Sequence, residues 1–74
     1  MLEIIEPIIL EVYGDTEFAR SLATHLAQSL TVPERWERTR EDTIRVICWN
    51  WFSGGSTAQY VAERIDGALK DAGL

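Results

Sequence analysis

Residues Thr43 to Phe52 read Thr-Ile-Arg-Val-Ile-Cys-Trp-Asn-Trp-Phe, and this stretch decides the predicted fold. It is rich in the β-branched and aromatic residues that are typical of strands, and Ser53-Gly54-Gly55 ends it. In a strand, successive side chains point to opposite faces. One face then carries Ile44, Val46, Cys48, Asn50 and Phe52, and the other carries Arg45, Ile47, Trp49 and Trp51.

The segments on the N-terminal side predict a strand followed by a helix. Ile4 to Tyr13 is rich in Ile, Leu and Val, and the strand starts at Ile8 or lies at a sheet edge because Pro7 cannot donate a ladder hydrogen bond. Asp15 or Thr16 then caps a helix that runs to about Leu30. One stripe of that helix is apolar at the helical period and begins at Phe18.

The remaining segments complete a β-α-β-β-α order. Glu34 to Thr39 fits a loop, a short helix or a strand, and we favour a strand that Arg40-Glu41-Asp42 turns back into the next one. Ser56 and Gln59 match a capping box that opens a helix through Ala72. The prediction is therefore one α/β (α+β) domain over residues 1–74, a small two-layer sandwich with both helices on one face of a short mixed sheet.

The composition narrows the class of protein. A chain of 74 residues has a marginal core. Its only cysteine, Cys48, forms no internal disulfide, and with His25 as the only histidine no zinc site is expected. The N-terminus does not resemble a signal peptide, and no run approaches the ~18 apolar residues of a membrane span. We predict a soluble, cytoplasmic protein without metal or cofactor.

Twelve acidic residues against seven basic ones give a net charge of −5. Such a charge repels phosphate backbones and anionic membranes. It suits a basic partner surface, although acidity also serves solubility alone.

The predicted sheet has one face that no helix covers. That face carries several aromatic side chains, and large exposed apolar patches are typical of interaction sites. The predicted function is a non-enzymatic interaction module, an adaptor or inhibitor, which binds a protein partner or a second copy of itself. The predicted partner-binding residues are Tyr13, Trp36, Ile47, Trp49 and Trp51.

Two other interpretations of these aromatic residues stay open. If the helices cover opposite faces, or if the faces are swapped, the tryptophans lie in an ordinary core. An aromatic sheet also stacks single-stranded bases in some proteins. The nearby Arg35, Arg38, Arg40 and Arg45 favour that alternative, but the acids between them cancel the charge.

Two candidate sites of chemistry are weak. Gly54, Gly55, Ser56 and Thr57 join a strand to a helix N-terminus, where free N–H groups suit an anion, but the stretch has no Walker lysine, and we favour a flexible connector with a helix cap. Cys48 and His25 are the residue types of a nucleophile and a base. Because Cys48 is predicted to face the core, we predict no catalytic pair and no enzyme.

The Trp-rich strand, glycine turn and closing helix from Ile44 to Leu69 resemble the C-terminal part of phage tail-completion proteins. The resemblance covers about a third of the chain, and the first half shows no corresponding match. It implies a phage or mobile-element origin. It is consistent with a second hypothesis, a structural subunit of a larger assembly such as a virion.

Overall fold

Four α-helices and one short 3₁₀ turn form the chain in the computed structural model, which describes residues 1–74 and contains no strand. The elements are α1 (Leu2–Tyr13), α2 (Glu17–Leu30), the 3₁₀ turn (Pro33–Arg35), α3 (Arg40–Trp51) and α4 (Gly55–Asp71). The predicted α/β sandwich is therefore wrong. The protein has a small, all-helical, bundle-like fold.

The segment predicted as the first strand forms α1. Its buried residues are Ile5, Ile8 and Ile9, which lie on one face of a helix because they are three and four residues apart. Pro7 lies inside the helix on its exposed side. There it removes the hydrogen bond to the carbonyl of Glu3, a defect that the buried isoleucines outweigh.

The stretch that decided the predicted fold forms most of α3. Ile44 and Cys48, one helical turn apart, are fully buried. The helix begins at a side-chain cap, because the Thr39 hydroxyl oxygen accepts a hydrogen bond from the Asp42 backbone N–H at 3.1 Å. A spacing of four residues, rather than the alternation of a strand, therefore sets which side chains are buried.

The segment Glu34–Thr39 is not a strand either. It contains the end of the 3₁₀ turn and then irregular chain. Thr43 holds this chain in place: its hydroxyl accepts from the Glu37 backbone N–H and donates to the Thr39 carbonyl, both at 2.9 Å. Trp36 packs against the core, so the connection needs no sheet partner.

The predicted helix ending at Leu30 is confirmed as α2. The Thr16 hydroxyl oxygen accepts a hydrogen bond from the Ala19 backbone N–H at 3.1 Å, as an N-cap does. The buried stripe consists of Ala19, Leu22, Ala23, Leu26 and Leu30. The start of α2 and its buried stripe from Ala19 onward thus follow from its sequence.

The final helix, α4, is also confirmed, but its predicted capping box is wrong. The helix begins at Gly55, after Gly54 at a φ of 106°, and no side chain caps it. The Gln59 side-chain amide instead donates forward to Glu63 Oε1 at 3.2 Å. A left-handed glycine, and not a serine cap, sets this helix boundary.

The helices surround one core. α4 packs against α3 and α1, α1 packs against α2, and α2 packs against α3. The core cluster contains 15 buried residues drawn from all four helices. None of the helices combines the length and the apolar character needed to cross a membrane.

A buried ion pair fastens the start of α3 to α4. Arg40 Nε donates to Asp66 Oδ1 at 2.7 Å, and both side chains are almost fully buried. Lys70, one turn further along α4, contacts Asp66 Oδ2 at 3.2 Å from solvent. Burial alone would raise the pKa of the Asp66 carboxyl, but the hydrogen bonds from Arg40 and Lys70 and their charges lower it below 3.8.

Candidate functional site

Five ring-bearing side chains meet where the end of α1, the start of α2 and the end of α3 come together. We call this group the aromatic patch; it consists of Tyr13, Phe18, His25, Trp51 and Phe52. Gly14, at a φ of 96°, turns the chain from α1 into α2. Phe52 leaves α3 in an extended conformation, so its ring reaches back to α1.

The rings of the patch hold one another in place. Tyr13 and Phe52 stack with their centroids 4.1 Å apart and their planes 10° apart. Phe18 lies 5.1 Å from both Trp51 and Phe52, and His25 stacks on Trp51 at 5.4 Å. These distances are typical of favourable aromatic pairs. The patch is thus ordered before anything binds to it.

Phe18 is the most solvent-exposed apolar member of the patch. The sequence predicts it as the start of the buried stripe of α2, yet 51 % of its surface is exposed. The buried stripe of α2 instead begins at Ala19. The prediction was wrong because Phe18 lies in the first turn, past the edge of the core.

A cleft runs beside the patch along the outer side of α2. We call it the α2 cleft; it is a shallow depression of about 350 Å³ that is open to solvent. Trp51 forms its apolar wall, and polar side chains form the rest. The lining residues are Glu17, Arg20, Ser21, Thr24, His25, Gln28 and Trp51.

One cation of the α2 cleft is already neutralised. Arg20 donates to Asp15 Oδ1 from Nε at 2.9 Å and from Nη2 at 2.7 Å. The hydrogen bond to Asp15, its charge, and a smaller effect of the Glu6 charge raise the pKa of Arg20. Glu17, on the same cleft, forms no ion pair.

The structure separates the five predicted partner-binding residues. Tyr13 and Trp51 belong to the aromatic patch. Trp36 and Ile47 are partly buried against the core, and the Trp36 indole N–H is enclosed without a hydrogen-bond partner. The common sheet face on which they were placed does not exist.

Trp49 is exposed but lies apart from the patch. It has 53 % of its surface exposed, and its indole lies beside Gly55 at the start of α4. On a helix, positions 49 and 51 differ by about 200° in direction, so Trp49 and Trp51 diverge. The alternation of a strand had placed them together.

The predicted anion site, Gly54, Gly55, Ser56 and Thr57, lies at the N-terminus of α4. The Gly54 carbonyl accepts from the Ala58 backbone N–H at 3.1 Å, which starts the helix. The N–H groups of the first turn have no side-chain cap. The site remains a prediction.

The candidate nucleophile and base do not meet. Cys48 is fully buried, and burial raises the pKa of its thiol to about 12, against a smaller lowering by Tyr13. Its thiol is therefore protonated at neutral pH, whereas His25 is exposed on α2. No three His, Cys, Asp or Glu side chains converge as metal ligands.

Comparisons with protein-family models, with curated proteins and with solved structures find no match to this chain. The resemblance to tail-completion proteins depended on a strand, a turn and a helix, and the strand is helix α3.

Proposed function

We propose that this protein is a non-enzymatic interaction module that attaches to another protein through the aromatic patch. The observation that supports it is the state of Phe18, which is half-exposed yet held by two neighbouring rings. Aromatic side chains are enriched at protein interfaces and among their energetic hot spots. Because the rings are already ordered, binding loses little side-chain entropy at this surface.

The nucleic-acid alternative has lost its structural basis. It required a sheet on which bases stack, and the chain has no strand. Three of the five patch residues also lie on the acidic part of the chain: residues 1–30 carry five carboxylates and one basic residue. A negative surface opposes binding to phosphate backbones.

The test is a comparison of equally exposed aromatic residues. We would immobilise the wild type, Phe18→Ser, Tyr60→Ser and Trp49→Ser, and identify by mass spectrometry the proteins each retains from a lysate of the source organism. Tyr60, 50 % exposed on α4, is the control outside the patch. Circular dichroism and the unfolding midpoint would establish that each variant is folded.

We expect a partner that the wild type and Tyr60→Ser retain and that Phe18→Ser loses. A partner retained by Phe18→Ser as well as by the wild type contradicts the proposal. So does loss from Trp49→Ser alone, because that result places the interface at the junction of α3 and α4.

A further inference from the structure

The charge of the molecule is divided unevenly between its two halves. Residues 1–30, which form α1 and α2, carry five carboxylates and one basic side chain, whereas residues 31–74 carry seven carboxylates and six basic side chains. The α1–α2 half therefore holds a net charge of −4 out of the total of −5. The α2 cleft and most of the aromatic patch lie on this half.

Within this half, two carboxylates lack a positively charged partner. Glu3 pairs with the N-terminal amine, Glu11 with Arg64, and Asp15 with Arg20. Glu6 and Glu17 form no ion pair, and Glu17 lines the α2 cleft. Arg20, the only arginine or lysine of the cleft, is already held by Asp15, so the formal charge left without an ion-pair partner in the cleft is the Glu17 carboxylate.

The length of the α2 cleft corresponds to a short stretch of extended polypeptide. From Glu17 to Gln28, α2 advances about 16 Å at about 1.5 Å per residue. An extended chain of about five residues covers that distance. The Trp51 indole offers an apolar contact to a bound peptide, and the serine, threonine and glutamine side chains of the cleft offer hydrogen-bonding groups.

We propose that the α2 cleft binds an extended segment of a partner protein, about five residues long, in which Lys or Arg flanks an apolar side chain. The apolar side chain contacts Trp51, and the cation lies near Glu17. This assignment rests on the proposed function and names the class of partner. Charge complementarity selects a basic segment over an acidic or neutral one.

Three synthetic pentapeptides test the assignment against ¹⁵N-labelled full-length protein by NMR titration. The basic probe is acetyl-Ala-Arg-Leu-Lys-Ala-amide; the matched probes replace Arg and Lys by Gln or by Glu. We expect the basic probe to shift the backbone amides of Ser21 and Thr24 and the Trp51 indole N–H. Its Kd should be at least about tenfold lower than that of the acidic probe, and its affinity should fall between about 20 mM and about 500 mM salt.

A charge variant with a matched control refines the test. Glu17→Gln removes the unpaired carboxylate of the cleft and should raise the Kd of the basic probe about two- to fivefold, the usual range for an exposed ion pair. Glu63→Gln removes an exposed carboxylate on α4, outside the cleft, and should leave that Kd unchanged. Equal Kd values for Glu17→Gln and the wild type contradict the assignment.

Four other results also overturn it. They are equal binding of the acidic or neutral probe, shifts confined to residues outside the cleft, no binding of any probe, and concentration-dependent shifts at the cleft without peptide. The last result makes a second copy of the chain the occupant. Each leaves the proposed function to be judged separately, because capture by the wild type and its loss in Phe18→Ser assume nothing about partner charge.

Discussion

At the scale of single residues, Asp66 is a buried carboxylate that is stabilised by ion pairs with two cationic side chains. Arg40 reaches it at 2.7 Å and is itself nearly buried, whereas Lys70 reaches it from solvent. Removing one member of a buried pair leaves the other charge buried without a counter-charge. This lowers the free energy of unfolding more than replacing both members by apolar residues. The junction of α3 with α4 should therefore be sensitive to this one position.

We expect Asp66→Asn to lower the free energy of unfolding by about 3 kcal/mol, because it leaves the Arg40 guanidinium buried without a counter-charge. Denaturant unfolding followed by circular dichroism measures the change. Asp71→Asn, an exposed carboxylate at the end of the same helix, should change stability by less than about 0.5 kcal/mol. Equal effects of the two substitutions would contradict the expectation that the buried ion pair stabilises the fold more than an exposed carboxylate does.

The same carboxyl gives an acid-dependent stability. Its pKa in the folded state is lowered below 3.8, so the unfolded chain binds the proton first as the pH falls. The stabilisation is complete above pH 3.8 and is lost as the pH falls through the folded-state pKa. The difference in unfolding free energy between the wild type and Asp66→Asn should shrink below about pH 4; a difference that stays constant down to pH 2 contradicts this.

The raised pKa values of Tyr13 and Cys48 predict that stability is lost at alkaline pH. Burial, with a smaller effect of Cys48, raises the pKa of Tyr13 from 10.0 to about 12, and burial raises that of Cys48 from 9.0 to about 12. Because the unfolded chain loses these protons first, their stabilisation is present below pH 9 and is lost as the pH rises toward 12. The unfolding free energy of the wild type should fall over this range, and less steeply in Tyr13→Phe and in Cys48→Ala.

At the scale of elements, the sequence predicts helices and strands unequally, and the reason is local. α2 and the body of α4 have apolar residues only at helical spacing, so their patterns fit one structure. α1 and α3 contain runs such as Ile8-Ile9 and Val46-Ile47, in which apolar residues fill both faces of a strand and most of a helix. The β-branched residues of these two segments favour strands, but tertiary packing decides the structure of segments whose pattern fits both.

The aromatic patch was only partly predictable for the same reason. Tyr13 and Trp51 were identified as binding residues, but on a surface that does not exist. Phe18 and His25 are seven residues apart, so both lie on one side of α2, and that spacing was the available signal. Their contact with Trp51 depends on how α3 crosses α2, which no local pattern specifies.

Two glycines differ in backbone conformation, and their substitution by alanine should have opposite effects on stability. Gly67 lies inside α4 with open space where a Cβ would point, so Gly67→Ala should stabilise the fold by about 1 kcal/mol. Gly14 also has open space, but its φ of 96° disfavours any side chain, so Gly14→Ala should destabilise by about 1–3 kcal/mol. Thermal and denaturant unfolding measure both, and the same sign for both variants contradicts the assigned conformations.

At the scale of the whole molecule, the bundle covers its own core. Its accessible surface is 4377 Å², and a monomeric protein of its mass of 8.4 kDa is expected to expose about 4,600 Å². The sequence predicts an uncovered sheet face that binds a partner or a second copy of the chain, and the structure has no sheet. The large apolar side chains that remain exposed are separate from one another, and among them Phe18 is the one that belongs to the aromatic patch.

We therefore expect the isolated chain to sediment as a monomer. The reason is that its 15 core residues are already enclosed, and that a net charge of −5 opposes the meeting of two α1–α2 surfaces. Sedimentation velocity over a hundredfold range of concentration measures this, with Phe18→Ser as the matched variant. A dimer in the wild type that Phe18→Ser abolishes would contradict the prediction and make a second copy the occupant of the patch. A dimer present in both would also contradict the prediction, and it would place self-association on another surface than the patch.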